Sequence, residues 1–223
     1  MRGVSIILAM AAFSASTAMA DPALKTKAFP AAKLFPYYQN YLELPAAERD
    51  QFRMAFFLTA AEGPLTATLK RPGGDVPLTL GARGEISPLP TLADLKTAQV
   101  ELTAHDGVKL NAMIELVEAM APAQTLDATT LKKGIDQARN GARKAAGLLG
   151  AMVPDYESVC FVGAGSGNVI LADGKTVPLK VSAAPNNPQH PNPCFTPADM
   201  PTARQVVLAH VPSLMPIARR PQS

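Results

Sequence analysis

The sequence contains no tryptophan, and aromatic residues make up only 5% of its 223 positions. Its basic residues lack interleaved aromatics, so no nucleic-acid module is visible. A net charge of +3 gives no global pull toward polyanions either. Only three histidines occur, His105, His190 and His210, and only two cysteines, Cys160 and Cys194. No pair of these has metal-ligand spacing, so no metal site is expected. After residue 13 there is no second long apolar run, so no transmembrane segment is expected once the leader is removed.

Nucleotide loops are lacking as well. Gly163-Ala164-Gly165-Ser166-Gly167 has the glycine density of a dinucleotide loop, but a strand follows it where a phosphate site needs a helix. Gly174-Lys175-Thr176 resembles the end of a P-loop, yet the position of the first glycine is Val169. Ser166 is no nucleophile elbow, since Ala164 and Asn168 replace the flanking glycines. Both stretches read as hairpin turns. No cofactor and no catalytic constellation is expected.

What is there begins with a leader. Arg2 precedes an uncharged apolar stretch over residues 4–13, and Ala18-Met19-Ala20 offers small residues where a signal peptidase cuts. Residues 1–20 are therefore expected to be a signal peptide, placing the protein in the periplasm or outside the cell. Losing Arg2 leaves a net charge of about +2. In an oxidising compartment Cys160 and Cys194 are expected to form one structural disulfide. The alternative, a redox pair, lacks Cys-x-x-Cys spacing. Proline is abundant, with 21 residues, which favours short strands, turns and edges.

The chain also repeats itself. Phe56-Phe57-Leu58 recurs as Cys160-Phe161-Val162, 104 positions on. Val76-Pro77-Leu78-Thr79-Leu80 recurs as Val177-Pro178-Leu179-Lys180-Val181 after 101. Ala93-Asp94-Leu95 recurs as Ala198-Asp199-Met200 after 105. Three matches in order at near-constant offset indicate duplication of a small unit rather than a solenoid. Each copy reads as antiparallel strands: Met54, Phe56 and Leu58 alternate with Ala55 and Phe57, and Asp173-Gly174 marks a tight turn. The strands holding Pro77 and Pro178 are expected either to start there or to lie at a sheet edge. Thr91 and Thr196 are candidate caps of one helical turn. Residues 108–117 extend copy one by a hairpin, while residues 183–193 form a long Pro/Asn loop in copy two. The repeat aligns Cys160 with Phe56 and Cys194 near Leu89, so Phe56 and Leu89 are expected to touch.

Between the copies, residues 130–152 form an amphipathic helix capped by Asp127 or Thr129. Leu131, Ile135, Ala138, Ala142, Ala145 and Leu149 share its apolar face. Lys132, Arg139 and Arg143 gather opposite, with Lys133 and Lys144 beside them. That basic side is either an ordinary solvated face or a contact for an anionic surface. Ahead of copy one, residues 30–44 suggest one helix or two short ones broken at Pro36. Tyr37, Tyr38 and Tyr41 there either cover the sheet or bind a ligand such as a sugar or peptide.

These features predict an α+β fold: two duplicated small antiparallel β-sheet modules with an intervening amphipathic helix. The expected divisions are a helical segment at 21–51, modules at 52–120 and 156–219, a linker helix at 121–155 and a tail at 220–223. The expected function is a non-enzymatic binding or accessory role in the cell envelope, toward a protein, a peptide or an envelope polymer. One alternative is an envelope hydrolase with a cleft between the modules, for which the recurring Asp94 and Asp199, with Ser166 and His210, are the weak polar candidates. Their simpler role is to brace turns. Another is a carrier of apolar ligands, which needs a cavity of roughly several hundred Å³.

Overall fold

The computed structural model describes residues 23–184 and 187–220, with residues 183–184 and 187–190 described by backbone alone. The expected leader, residues 1–20, the end of the tail and the His190 side chain lie outside the described residues. In chain order, β1 (Leu24–Pro30) leads into two short helices, α1 (Ala31–Leu34) and α2 (Tyr38–Glu43). Then come β2 (Phe52–Ala60), β3 (Leu65–Lys70), β4 (Val76–Leu80), β5 (Ile86–Ser87), α3 (Leu92–Thr97), β6 (Gln99–His105) and β7 (Leu110–Glu118). The second half runs β8 (Thr125–Asp127), α4 (Ala128–Ala145), β9 (Ser158–Cys160), β10 (Gly167–Leu171), β11 (Thr176–Pro178), β12 (Lys180–Ala184), β13 (Asn187–Phe195), β14 (Ala203–Leu208) and β15 (Pro216–Ala218). The fold is α+β, and every strand pairing is antiparallel.

The ladders repeat with the sequence. One sheet has the order β1-β6-β3-β4-β5, and a second has β8-β14-β10-β11. The third, β12-β13-β9-β15-β7-β2, takes two strands from copy one and the rest from copy two. Within it the pair Phe56↔Ile114 becomes Val159↔Ile217 when 103 is added to both numbers. β7 and β15 pair directly, so the copies meet edge to edge in one continuous sheet.

The structure extends each repeat upstream. The segment 21–51, read as helical, opens with β1, and the linker opens with β8. β1 lies beside β6 as β8 lies beside β14. Nearly every residue of β1 is exposed, so it carries no alternating apolar signal. The hairpin assigned to copy one alone has a counterpart too, because β15 stands to β9 as β7 stands to β2. The long Pro/Asn loop is instead a hairpin of β12 and β13. Pro193 lacks an N–H, but its carbonyl still accepts from Phe161 N–H at 2.9 Å.

At this register Cys160 corresponds to Phe57, not Phe56. Phe57 is bridged to Glu85, whereas Cys160 is bonded to Cys194 across the β9–β13 ladder with Cα atoms 4.0 Å apart. The expected Phe56–Leu89 equivalence is thus replaced by Phe57–Glu85. A slip of one residue moves a side chain to the other face of a sheet: Phe56 enters the main core and Phe57 a second cluster with Ala55, Val117 and Leu214.

The main core runs through both copies. Phe35, Tyr38, Tyr41, Phe52 and Phe56 form its aromatic end, with ring centroids 5.0–6.5 Å apart along the chain of contacts. Leu131, Ile135 and Ala138 of α4 continue it to Val159, Phe161, Val169 and Val206. Asp127 caps α4, accepting from Thr130 N–H at 2.7 Å. The helix stops at Ala145 rather than 152, because Gly147 turns left-handed (φ +56°) and a 3-10 segment, Gly147–Met152, follows. Leu149, placed on the apolar face by a continuous helix, is consequently half exposed. Thr91 caps α3, but Thr196 caps nothing: its hydroxyl is committed to Ser158 Oγ at 2.7 Å.

Candidate functional site

Tyr37, Tyr38 and Tyr41 separate as soon as α2 forms. Tyr38 and Tyr41 stack at 5.7 Å inside the core, and Tyr41 donates to Phe52 O at 3.0 Å. Burial pushes both phenols above their ordinary range. They pack the sheet, and Tyr37 alone faces solvent, at a left-handed backbone position (φ 63°).

Asp94 and Asp199 occupy equivalent places, and each is engaged by its own copy. Asp94 accepts from Thr91 N–H (2.9 Å) and Thr91 Oγ1 (2.7 Å), while Thr91 Oγ1 accepts from Asp94 N–H. This is a reciprocal helix cap. The Thr91 hydrogen bonds, helped by the Arg71 guanidinium, hold the Asp94 carboxyl below the usual carboxylate range. Asp199 receives Lys180 at 3.2 Å and Arg220. Ser166 and His210 lie on neighbouring exposed turns, tied by Ala209 N–H to Ser166 O at 2.9 Å and His210 N–H to Ala164 O at 3.3 Å. No group of three or more His, Cys, Asp or Glu placed to hold a metal occurs among the described residues.

Two clefts stand out among the described residues. An apolar one of about 140 Å³ lies between the α1–α2 connection and the β2–β7 ladder, lined by Leu34, Pro36, Phe56 and Met113 among others. It is smaller than the roughly 300 Å³ at which ligand pockets begin. An open trough beside β3 is lined by Lys70, Arg71, Asp75 and Glu101, where Lys70 already pairs with both acids.

Two features were not visible in the sequence pattern. The first is Glu118, the last residue of β7. It is 4% exposed, and both carboxyl oxygens are buried without a hydrogen-bond partner. The carboxyl fills the space that a Cβ on Gly134 of α4 would need. Burial pushes it up to about 8, which keeps it a neutral acid near neutral pH. In the sequence Glu118 closes an alternating stretch and resembles its solvated end; in the fold its carboxyl lies against Gly134 of α4.

The second is the 3-10 segment after α4. Leu148 is 104% exposed, Met152 79% and Leu149 50%. Three of the seven large apolar side chains left in solvent among the described residues therefore sit in one six-residue turn. Gly150 is buried beneath them, where an added Cβ would lie 2.6 Å from Arg143 O. Arg143 and Lys144 stand at the base of this turn, paired with Asp155 and Glu48 but 45% and 55% exposed. Arg139 pairs with Asp136 one turn earlier, and Lys132 is exposed nearer the start of the helix. The basic face read from the sequence thus ends on an apolar prominence where the sequence pattern continues the helix to residue 152.

No helix among the described residues is long and apolar enough to cross a membrane. Compared with protein-family models, curated proteins and solved structures, the chain matches none of them.

Proposed function

We propose that the protein is an exported, non-enzymatic binding or accessory component of the cell envelope. The observation that carries this reading is the prominence at residues 147–152. Exposing Leu148 and Met152 forgoes most of the roughly 1.5–3 kcal/mol per side chain that full burial would return, and half-exposed Leu149 about half of it. Isolated exposed apolar residues are ordinary, but a cluster rimmed by charge marks a contact surface. The leader sequence and the Cys160–Cys194 bond are both compatible with an oxidising compartment outside the cytoplasm.

The groups considered for hydrolysis lend the enzyme alternative less support. Asp94 is held as a helix cap with its carboxyl below the usual range, where a general acid needs it raised, and Asp199 is occupied as an ion-pair acceptor. A carrier role draws little from a 140 Å³ cleft.

The test is site-specific photo-crosslinking in intact cells. A photoreactive residue at position 148 should capture an envelope component, while one at Lys175, in the β10–β11 turn, should not. Equal capture from both positions would count against a dedicated surface. Release of soluble fragments from purified envelope polymer by the protein would favour the hydrolase.

A further inference from the structure

We infer that the turn at Gly147–Met152 is a peripheral docking surface for an anionic lipid bilayer, an inference that rests on the binding reading above. Its shape is the first argument. Leu148 projects fully from a turn held tightly against the end of α4 by Gly150. A protein partner must offer a preformed pocket to such a convex crown, whereas the lipid interface deforms around it.

The backbone beneath is prepared for a medium poor in water. Asn40 Nδ2 donates to Ala145 O at 2.6 Å, and Ala146 N–H donates to Ala142 O at 2.9 Å. Within the turn, Leu149 N–H reaches Ala146 O at 3.1 Å and Val153 N–H reaches Gly150 O at 3.2 Å. These bonds occupy the carbonyls of Ala142, Ala145, Ala146 and Gly150, as a lipid environment demands of backbone near it.

Charge is the third argument. From Ala128 to Met152 the chain carries Lys132, Lys133, Arg139, Arg143 and Lys144 against Asp136 alone. Arg143 and Lys144 flank the apolar crown. Their pairs with Asp155 and Glu48 are exposed and so contribute little on their own. Lipid phosphates can replace these carboxylates at small cost, and basic residues beside an apolar insertion are what retain an interfacial segment on anionic lipid. A single short crown gives weak, reversible attachment, so both elements are required together.

The experiment is vesicle co-sedimentation of the chain beginning at Asp21, which keeps every described residue and removes the apolar leader that would itself partition. Vesicles containing phosphatidylglycerol should retain the protein, and vesicles of phosphatidylcholine alone should retain it several-fold less. Retention should fall with added salt. Leu148→Asp with Met152→Asp should lower the affinity at least tenfold, and Arg143→Gln with Lys144→Gln several-fold. Leu148 and Met152 are largely solvated and Arg143 and Lys144 about half, so circular dichroism and the unfolding midpoint should stay near wild type. Absence of wild-type retention, or retention unchanged in the Asp variant, would overturn the lipid assignment. Concentration-dependent dimerisation abolished by Leu148→Asp would also overturn it, in favour of a second copy of this chain. Capture of a protein from position 148 in cells without vesicle binding would overturn this inference and leave the binding reading standing.

Discussion

Replacing Glu118 with glutamine should flatten the loss of stability that the wild-type protein undergoes as pH rises from about 4.5 to about 8. Burial pushes the Glu118 carboxyl up to about 8 from an ordinary value of 4.5, and no charge opposes the shift. Between those two values the native state holds a proton that the unfolded chain has released. Stability from this group is therefore complete below about pH 4.5 and is lost as pH rises through about 8. At about 1.4 kcal/mol per pH unit, the interval amounts to about 5 kcal/mol, comparable with the whole stability of a small domain. Hydration of the site on ionisation would reduce that figure, since α4 need only lift locally to admit water. The assay is urea unfolding of wild type and Glu118→Gln at pH 5, 7 and 9. All other groups are common to both proteins, so the difference between the two pH slopes isolates Glu118. Glutamine leaves a buried amide unpaired, so the absolute midpoints are less informative than the slopes. Parallel slopes would refute the placement of a neutral carboxyl beneath α4.

Four further outcomes follow from the packing, the crosslink and the helix cap. Gly134→Ala should destabilise by roughly 1–3 kcal/mol although alanine ordinarily improves a helix by about 0.5–1 kcal/mol, because the new methyl meets the Glu118 carboxyl; adding Glu118→Ala should recover the loss in a double-mutant cycle. Replacing Cys160 and Cys194 together by alanine should lower stability by about 3–4 kcal/mol, as loss of a crosslink closing 34 positions implies, with the midpoint shift read by urea unfolding. Thr91→Ala should cost about 1 kcal/mol through the lost cap. Asp94, whose carboxyl is held low, contributes stability that is present above about pH 3.8 and is lost as pH falls below it, so Asp94→Asn should blunt acid unfolding, followed by circular dichroism.

Much of the fold was legible in the residues because it depends on local rules. Strands β2 and β4 fall where alternation and the repeated string place them, and the Thr91 cap forms from a spacing of three. The disulfide follows from there being two cysteines and an oxidising context. The duplication was legible too, though only as strings, and strings align without knowing which face a residue takes. The ladder decides the face, which is why Phe57, not Phe56, stands where Cys160 does. β1 escaped notice since an exposed edge strand needs no apolar alternation, and β8 since three residues, of which Leu126 alone is buried, are too few to show one; in each the partner supplies the hydrogen bonds.

The candidate site was legible only in part. The basic stripe of α4 is a property of one helix and can be counted along the chain. Its end is not, because Leu148 and Leu149 read as more helix until Gly147 turns and Gly150 packs against Arg143 O. Tyr38 and Tyr41 carry the same residue type as Tyr37, and only the closing of α2 over β2 buries two and leaves one outside. The sequence by itself determined the antiparallel modules, their duplication, the crosslink and the charged helix, since each rests on contacts within a few residues or on chemistry independent of shape. Tertiary structure alone decided that the two copies join through β7 and β15, that Glu118 is sealed without a partner, and that an apolar crown stands in solvent beside arginine and lysine. Those outcomes depend on which distant segment covers a residue, and no local pattern encodes that.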